Sequence, residues 1–464
     1  MAHQAHNIPW GVFASNLQYV HANSALGGVT NLFFRFRETQ GKELNYFVEA
    51  FARTIREHSE CEWRKYPEKP SAPDDDELVI SAAAAKKIAP TMHHLFRGWD
   101  WRRAAAIADE FTSAPCTHTD EDERCACPVP YPERKMAAFL YLHHTGECYE
   151  FESTNGRVFF CVEMAKALVM HGEMESMLRL CAHPGFKFMD WWSVGQCQCA
   201  ASDAGWEFVC KNALDAYLCL NTLYCFPEIW DPASGATAEK DYRLTKCYRR
   251  MLRRCTLSGT TSQIAALPHR QFFGIADGQF KFKYHPMDWD LARWGHGGSE
   301  GSEDTSRLFL DRPFERFLEC DDAHPPYLPH ADDLGHVRRI LCAKGLPMEL
   351  VLDIMELADY TAKRRLKVPH DPFHLTNREE LVPYLTYCWK ILVHCDMVFK
   401  ALGQREIPWE NFITCAMMDF WGLHYKRHKQ SAHNKRKMFD MVGLDDDDNQ
   451  NIVQYHEQYG FKFI

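Results

Sequence analysis

The stretch Trp409-Glu-Asn-Phe-Ile-Thr-Cys-Ala-Met-Met-Asp-Phe-Trp421 decides the fold class of this chain. Its large apolar residues recur three and four positions apart, which places them on one face of an α-helix. The proline at position 408 suits the first turn of such a helix, because the amide hydrogen that it lacks would have no partner there. The spacing therefore predicts a helix over 407–427 whose apolar face lies in a hydrophobic core.

The same helical spacing recurs over most of the chain, and one segment near the N-terminus favours a strand. Residues 29–37 are rich in phenylalanine and are flanked by glycines, which is typical of a short strand. We find no repeat with a period of 20–50 residues, so a regular solenoid is disfavoured. The predicted fold class is mainly α, a multi-helix assembly with a small β element near the N-terminus. Further helices are predicted over 44–55, 78–113, 134–145, 157–171, 173–183, 205–225, 239–256, 347–360 and 377–402.

The chain is predicted to divide into two helical regions. Residues 295–306 are rich in glycine, serine and glutamate, and residues 321–333 are rich in proline, histidine and aspartate. Both compositions are typical of loops. We therefore predict a helical domain with the β element over 1–294, a loop or linker over 295–333 and a C-terminal helical domain over 334–464.

Composition restricts the class of protein and its compartment. The 464 residues are 46% hydrophobic, which is enough to bury a sizeable core. The 19 cysteines are about 4% of the chain, below the roughly 8–10% of a disulfide scaffold. The N-terminus shows no secretory signal, and no apolar run approaches the ~18 residues of a membrane span. The sequence thus predicts a cytoplasmic or nuclear protein whose cysteines are buried thiols or metal ligands.

One loop has residues that can bind a metal. Cys116 and His118 form one pair of candidate ligands, and Cys125 and Cys127 form a second pair. Zinc takes four such ligands in a tetrahedron, although paired ligands usually lie two to four residues apart. A structural zinc ion is the one cofactor that the sequence indicates. Unligated thiols on the surface or in packing contacts are the alternative.

Basic residues cluster in two places, although the formal net charge is -10. The predicted helix over 239–256 carries Arg249, Arg250, Arg253 and Arg254, which can contact phosphates or an acidic partner. A solvated face is the alternative for this helix. A second basic run over 426–437 is a candidate nuclear localisation signal or nucleic-acid contact, and the acids at 445–448 can neutralise it.

The segment Leu346-Pro347-Met348-Glu349-Leu350-Val351-Leu352-Asp353-Ile354-Met355 resembles the opening of an F-box, which begins Leu-Pro-x-Glu-Leu and continues as an amphipathic helix. Pro347 suits the start of that helix, and Leu350, Ile354 and Leu357 are predicted to form its buried side. The later segment 388–392 is similar to the cysteine-tryptophan helix of the same family. An ordinary core helix that starts at a proline is the alternative.

The resemblance implies that Leu346, Pro347, Leu350 and Ile354 bind a ubiquitin-ligase adaptor while the rest of the chain holds a substrate. The chain departs from the family in two ways. An F-box usually lies towards the N-terminus, and here an insert over 363–371 separates the two helical pieces. Residues 346–402 are also similar to uncharacterised proteins of filamentous fungi, which implies a lineage but no activity.

No motif in the sequence ties a catalytic group to a partner. The Gly-x-Ser-x-Gly at 297–301 follows no buried strand and is predicted to be a loop, and neither a Walker A sequence nor a His-Glu-x-x-His occurs. Catalytic groups also assemble across long separations, so the question of an enzyme stays open. The sequence favours a non-enzymatic interaction or regulatory protein with protein partners. The alternatives are an F-box-like adaptor and a nucleic-acid-associated protein that uses the helix at 239–256, and the oligomeric state stays open.

Overall fold

Helices make up most of the chain that the computed structural model describes. The described residues are 7–21, 29–35, 39–107, 127–140, 156–186, 207–257, 263–280, 313–319, 326–403, 407–422, 453–456 and 460–463.

The helices and strands have the following bounds. The α-helices are α1 Trp10–Ser15, α2 Gln40–Trp63, α3 Ala82–Ile107, α4 Gly156–His171, α5 Met174–Ala182, α6 Glu207–Tyr224, α7 Lys246–Thr256, α8 Gln263–Phe273, α9 Phe314–Leu318, α10 Ala331–Ala343, α11 Met348–Leu357, α12 Arg378–Ala401 and α13 Trp409–Trp421. The strands are β1 Leu17–Val20, β2 Asn31–Phe34, β3 Val453–His456 and β4 Gly460–Phe463. Short 3₁₀ turns are Pro132–Arg134, Met136–Leu140, Pro227–Ile229, Pro232–Ser234, Tyr242–Leu244 and Leu375–Asn377.

Helix α12 lies at the centre of the core, where it packs against α2, α5 and α6. The Trp389 ring stacks on Phe51 of α2 at 5.9 Å and lies 5.1 Å from the Tyr217 ring of α6. The Trp389 indole Nε1 donates a hydrogen bond of 2.9 Å to His58 Nδ1, so the polar edge of this ring is also satisfied.

The stretch that decides the fold class forms helix α13 and is buried as predicted. Trp409, Ile413, Met417 and Trp421 are buried, and Trp421 contacts the Phe13 ring of α1 edge to face at 5.2 Å. The aliphatic and aromatic face of α13 thereby packs on α1, α2, α6 and α7 together. The predicted mainly α fold class is confirmed.

The N-terminal β element is a two-stranded antiparallel sheet in which Leu17 pairs with Phe34 and Val20 with Asn31. Asn31 is buried, and its side chain joins two helices. Its Nδ2 donates to the Phe420 carbonyl oxygen at 2.8 Å, and its Oδ1 accepts from the Cys247 amide at 2.9 Å. Strands β3 and β4 form a second antiparallel pair that the sequence analysis did not predict.

The basic helix begins later than predicted. Residues 239–245 lie before the α-helix. Asp241 caps the 3₁₀ turn Tyr242–Leu244, and Thr245 caps α7. The Thr245 side chain accepts a hydrogen bond from the Tyr248 amide, and its extended backbone ends one element and starts the next. Two caps within five residues therefore divide a segment whose apolar spacing is continuous.

The predicted division of the chain stays a prediction, because residues 295–312 and 320–325 lie outside the described residues. Helices α12 and α13, which follow this region, share one core with the helices before it, and the buried residues of that core extend from Ile8 to Trp421. None of the helices in the described part of the chain is long and apolar enough to cross a membrane. The described cysteines form no disulfide, and eight of them are buried.

Candidate functional site

Helices α10 and α11 form a helical hairpin, which we call the 331–357 hairpin. Helix α10 begins with a reciprocal capping box, in which the His330 side chain accepts from the Asp332 amide at 3.1 Å and the Asp333 carboxylate accepts from the His330 amide at 2.6 Å. The turn between the helices passes through Gly345, whose φ of 90° is disfavoured for other residues. Pro347 caps α11, and its carbonyl oxygen accepts from the Val351 amide.

The hairpin exposes most of its large apolar side chains. Helix α11 buries only Val351 and Met355, and no residue of α10 is buried. The predicted buried side was wrong, since Leu350, Ile354 and Leu357 are 49%, 42% and 89% exposed. A helix that is covered on one side buries only the stripe that faces its neighbours, and helix α10 packs against α11. The exposed apolar side chains of the hairpin are Ile340, Met348, Leu350, Leu352, Ile354 and Leu357.

Helix α11 is also acidic. Glu349, Asp353 and Glu356 are exposed, and no basic residue lies between Met348 and Leu357. Successive residues turn by about 100° on a helix, so these three acids form one ridge. The ridge has an apolar strip on each side. One strip consists of Leu350, Ile354 and Leu357, and the other consists of Met348 and Leu352.

Arg364 fastens the base of the hairpin to the core. Its guanidinium, which is nearly buried, donates to the carbonyl oxygens of Leu328 and Leu366 at 2.6 Å and pairs with Asp333 at 3.2 Å. Leu366 itself is fully buried in the core. Because the hydrogen bonds lie at its base, the tip of the hairpin can lose side chains without loss of this attachment.

The four arginines of the predicted nucleic-acid contact lie on α7. Arg249 is buried, and its Nε donates to the Arg243 carbonyl oxygen at 3.2 Å. Arg250 donates to the Asp419 carbonyl oxygen at 2.9 Å, Arg254 pairs with the Asp419 carboxylate at 2.5 Å, and Arg253 is half-buried. At least three of the four thus contact groups inside the fold, and a role in nucleic-acid binding stays a prediction.

A buried carboxyl group lies under the same helix. Asp215 of α6 is 3.6 Å from Arg254, and both side chains are close to Asp419. Burial raises the pKa of Asp215 to about 6, and the nearby Arg254 lowers it only in part. The desolvation cost of the Asp215 carboxylate therefore exceeds its favourable attraction to Arg254.

Most of the predicted zinc site lies outside the described residues, namely Cys116, His118 and Cys125. Cys127 is described and is half-buried at the start of the 127–140 segment. Within the described ranges, no group of three or more histidine, cysteine, aspartate and glutamate side chains is arranged to hold a metal ion. The zinc site stays a prediction, as do the basic run at 426–437 and the loop at 297–301, which also lie outside the described ranges.

A polar cluster that the sequence analysis missed joins α7 to the loop before α12. Tyr242 donates to Asp371 Oδ1 at 2.8 Å, Arg243 lies 3.4 Å from Asp371 Oδ2, and Tyr248 donates to the His370 carbonyl oxygen at 2.8 Å. His370 has a φ of 59°, which is uncommon outside glycine. Burial lowers the pKa of His370 to about 4, so its imidazole is neutral at pH 7. The one available signal was its position between two prolines, in Val-Pro-His-Asp-Pro.

These features describe a mainly helical protein with one attached helical hairpin whose apolar side is open to solvent. The family model described as "Gramillins biosynthetic cluster protein GRA5" matches residues 11–433. The chain belongs to this family of fungal biosynthetic cluster proteins, which supports the fungal part of the predicted resemblance. No curated protein and no solved structure matched the chain in these comparisons.

Proposed function

We propose that this protein serves a biosynthetic cluster as a non-enzymatic interaction protein and that the 331–357 hairpin binds its protein partner. The family description names a biosynthetic cluster protein, and the hairpin supplies the contact surface. The observation that carries the proposal is the exposure of Leu350, Ile354 and Leu357 on one strip of α11. On the sequence argument alone, we propose the cytoplasm or the nucleus as its compartment.

The physical support is the cost of leaving these side chains in water. Exposed apolar patches mark interaction sites when several large residues are contiguous. Covering a half-exposed leucine or isoleucine stabilises a complex by about 1 kcal/mol, so the strip alone contributes several kcal/mol to binding. The same side chains add less to the stability of the free protein than buried ones do, because a large part of their surface stays in contact with water.

The test compares affinity purification of the full chain with that of a Leu350→Asn/Ile354→Asn double variant. We expect the variant to keep its thermal unfolding midpoint and to lose the partners that the unchanged protein retains. Leu375→Asn is the matched control, because Leu375 is 71% exposed and lies outside the hairpin. Partners that remain with the double variant would contradict the proposal.

A second candidate is an F-box-like adaptor, which the position of Pro347 favours. Pro347 caps α11, and Leu350 and Ile354 lie on an exposed side that an adaptor can reach. Leu346, which precedes the cap, is half-buried. Binding of a purified ubiquitin-ligase adaptor to the full chain, with loss on Leu350→Asn/Ile354→Asn, would support this candidate. An adaptor that does not bind would remove it and leave the broader proposal intact.

A further inference from the structure

We infer that the partner segment that docks on α11 is a basic amphipathic helix. The inference rests on the proposed function, because it gives the chemistry of the partner at the same surface. It follows from the charge of α11, from the spacing of its apolar strip and from the poor fit of the other possible occupants.

The charge of α11 is uniform. Its polar residues are Glu349, Asp353 and Glu356, all three are exposed, and none is neutralised by a described residue. The acidic ridge borders the Leu350–Ile354–Leu357 strip along its whole length, because both follow the same helix axis. A partner that covers the strip must therefore place its own edge beside three carboxylates. Lysine or arginine at that edge gains attraction, whereas an acidic edge is repelled.

The spacing of the strip fits an incoming helix. Leu350, Ile354 and Leu357 lie at positions i, i+4 and i+7, which is the pattern by which one helix packs along another. Glu349, Asp353 and Glu356 follow the same i, i+4, i+7 spacing one residue earlier. The complementary segment is a helix with an apolar seam of this period and basic residues on one side of it.

The charge disfavours two other occupants. A second copy of this chain that paired α11 with α11 would bring six carboxylates together across one interface, where like charges repel each other. An anionic lipid surface would meet the same repulsion, since such surfaces attract basic helices. A basic segment of a different protein meets neither obstacle.

The first test selects peptides that bind the protein and asks which residues they carry beside their apolar seam. A displayed library of helical peptides carries a fixed leucine seam with random flanking positions, and the full-length protein is the target. Peptides that also bind the Leu350→Asn/Ile354→Asn variant are removed. We expect lysine and arginine to be enriched at the flanks on one side of the seam. Neutral or acidic flanks would overturn the inference and leave the apolar docking surface standing, whereas a selection without any hairpin-dependent binder would count against both proposals.

The second test measures affinity with two synthetic peptides that share the leucine seam and carry either lysine or glutamate at the flanks. We expect the lysine peptide to bind about tenfold more tightly, because its flanks are attracted to the three carboxylates that repel the glutamate flanks. The difference should shrink as salt rises. Neutralising the ridge with Glu349→Gln, Asp353→Asn and Glu356→Gln should remove most of it.

A matched triple variant controls for net charge. Glu68→Gln, Glu239→Gln and Glu315→Gln removes the same number of exposed carboxylates from places outside the hairpin, and it should leave the preference for the lysine peptide unchanged. Equal affinity for the two peptides would overturn the inference. Sedimentation of the free protein supplies another contrary outcome, namely a dimer that dissociates on Leu350→Asn/Ile354→Asn, because a second copy would then be the occupant.

Discussion

His269 should make the protein sensitive to mild acid. This residue of α8 is fully buried, and its Nδ1 lies 2.6 Å from the Tyr384 hydroxyl oxygen of α12. The Phe272 ring stacks on the Tyr384 ring at 3.6 Å, so the imidazole is enclosed by packed aromatic side chains. Burial lowers the pKa of His269 from 6.5 to about 3. The folded protein therefore holds this side chain neutral, whereas the unfolded chain protonates it near pH 6.5.

The sign of the effect follows from proton binding. Below pH 6.5 the unfolded state binds a proton at His269 that the folded state does not bind, so stability is lost as pH falls from 6.5 towards 3. Between pH 7 and pH 5 this one residue should lower the free energy of unfolding by about 2 kcal/mol. That loss is a large fraction of the 5–15 kcal/mol that is typical of a folded protein.

The perturbation is His269→Asn, whose side-chain oxygen can accept from the Tyr384 hydroxyl but does not titrate. Urea unfolding followed by tryptophan fluorescence gives the free energy of unfolding at pH 7 and at pH 5 for both proteins. The drop between the two pH values should be about 2 kcal/mol smaller in the variant. His336→Asn is the control, because His336 is exposed on α10. An equal drop in the unchanged protein and in His269→Asn would refute the argument.

Three further predictions concern the core and the metal loop. Asn31→Ala should lower the free energy of unfolding by about 2–4 kcal/mol, because it leaves the Cys247 amide and the Phe420 carbonyl group without their partner, and thermal or urea unfolding measures the loss. The free energy of unfolding should fall by about 2 kcal/mol as pH rises from 4 to 7, because the folded pKa of Asp215, about 6, lies above its usual 3.8. Asp215→Asn should remove this fall in urea unfolding. An unchanged pH dependence in the variant would contradict the prediction. If residues 116–127 bind zinc, metal analysis of the purified protein should give about one ion per chain and Cys125→Ser should abolish it, while a substoichiometric content would rule the site out.

The periodicity of the sequence predicted helices well but predicted their buried sides unevenly. In α13 the apolar residues form one stripe, so only one orientation buries them, and the prediction was confirmed. In α11 seven of ten residues are apolar and only the acidic ridge is polar. Several orientations then bury an apolar stripe, and the choice of Val351 and Met355 depends on where α10 packs. Which stripe of α11 is buried is therefore determined by tertiary contacts and cannot be predicted from this segment alone.

The contacts of the polar groups in the core could not be predicted from the sequence, because they also depend on how distant segments pack. Asn31 is unremarkable in a phenylalanine-rich strand, and its role arises because two distant helix ends meet its side chain. His370 adopts a left-handed backbone without glycine, and its position between two prolines indicates a turn but not this conformation. The sequence shows the four arginines on α7, but the contacts of Arg250 and Arg254 with Asp419 depend on the packing of α13 on α7.

The bonds of Asn31 also set the order in which the chain can reach its native state. Its two partners lie 216 and 389 positions further along the sequence. At a synthesis rate of roughly 5–20 residues per second, the second partner emerges about 20–80 s after Asn31 itself. During that interval the N-terminal strands lack the surface on which they fold, and their aromatic side chains stay open to chaperones or to other nascent chains. Because of these sequence separations, the N-terminal end completes its fold late. N-terminal fragments that are released early should therefore bind chaperones or aggregate.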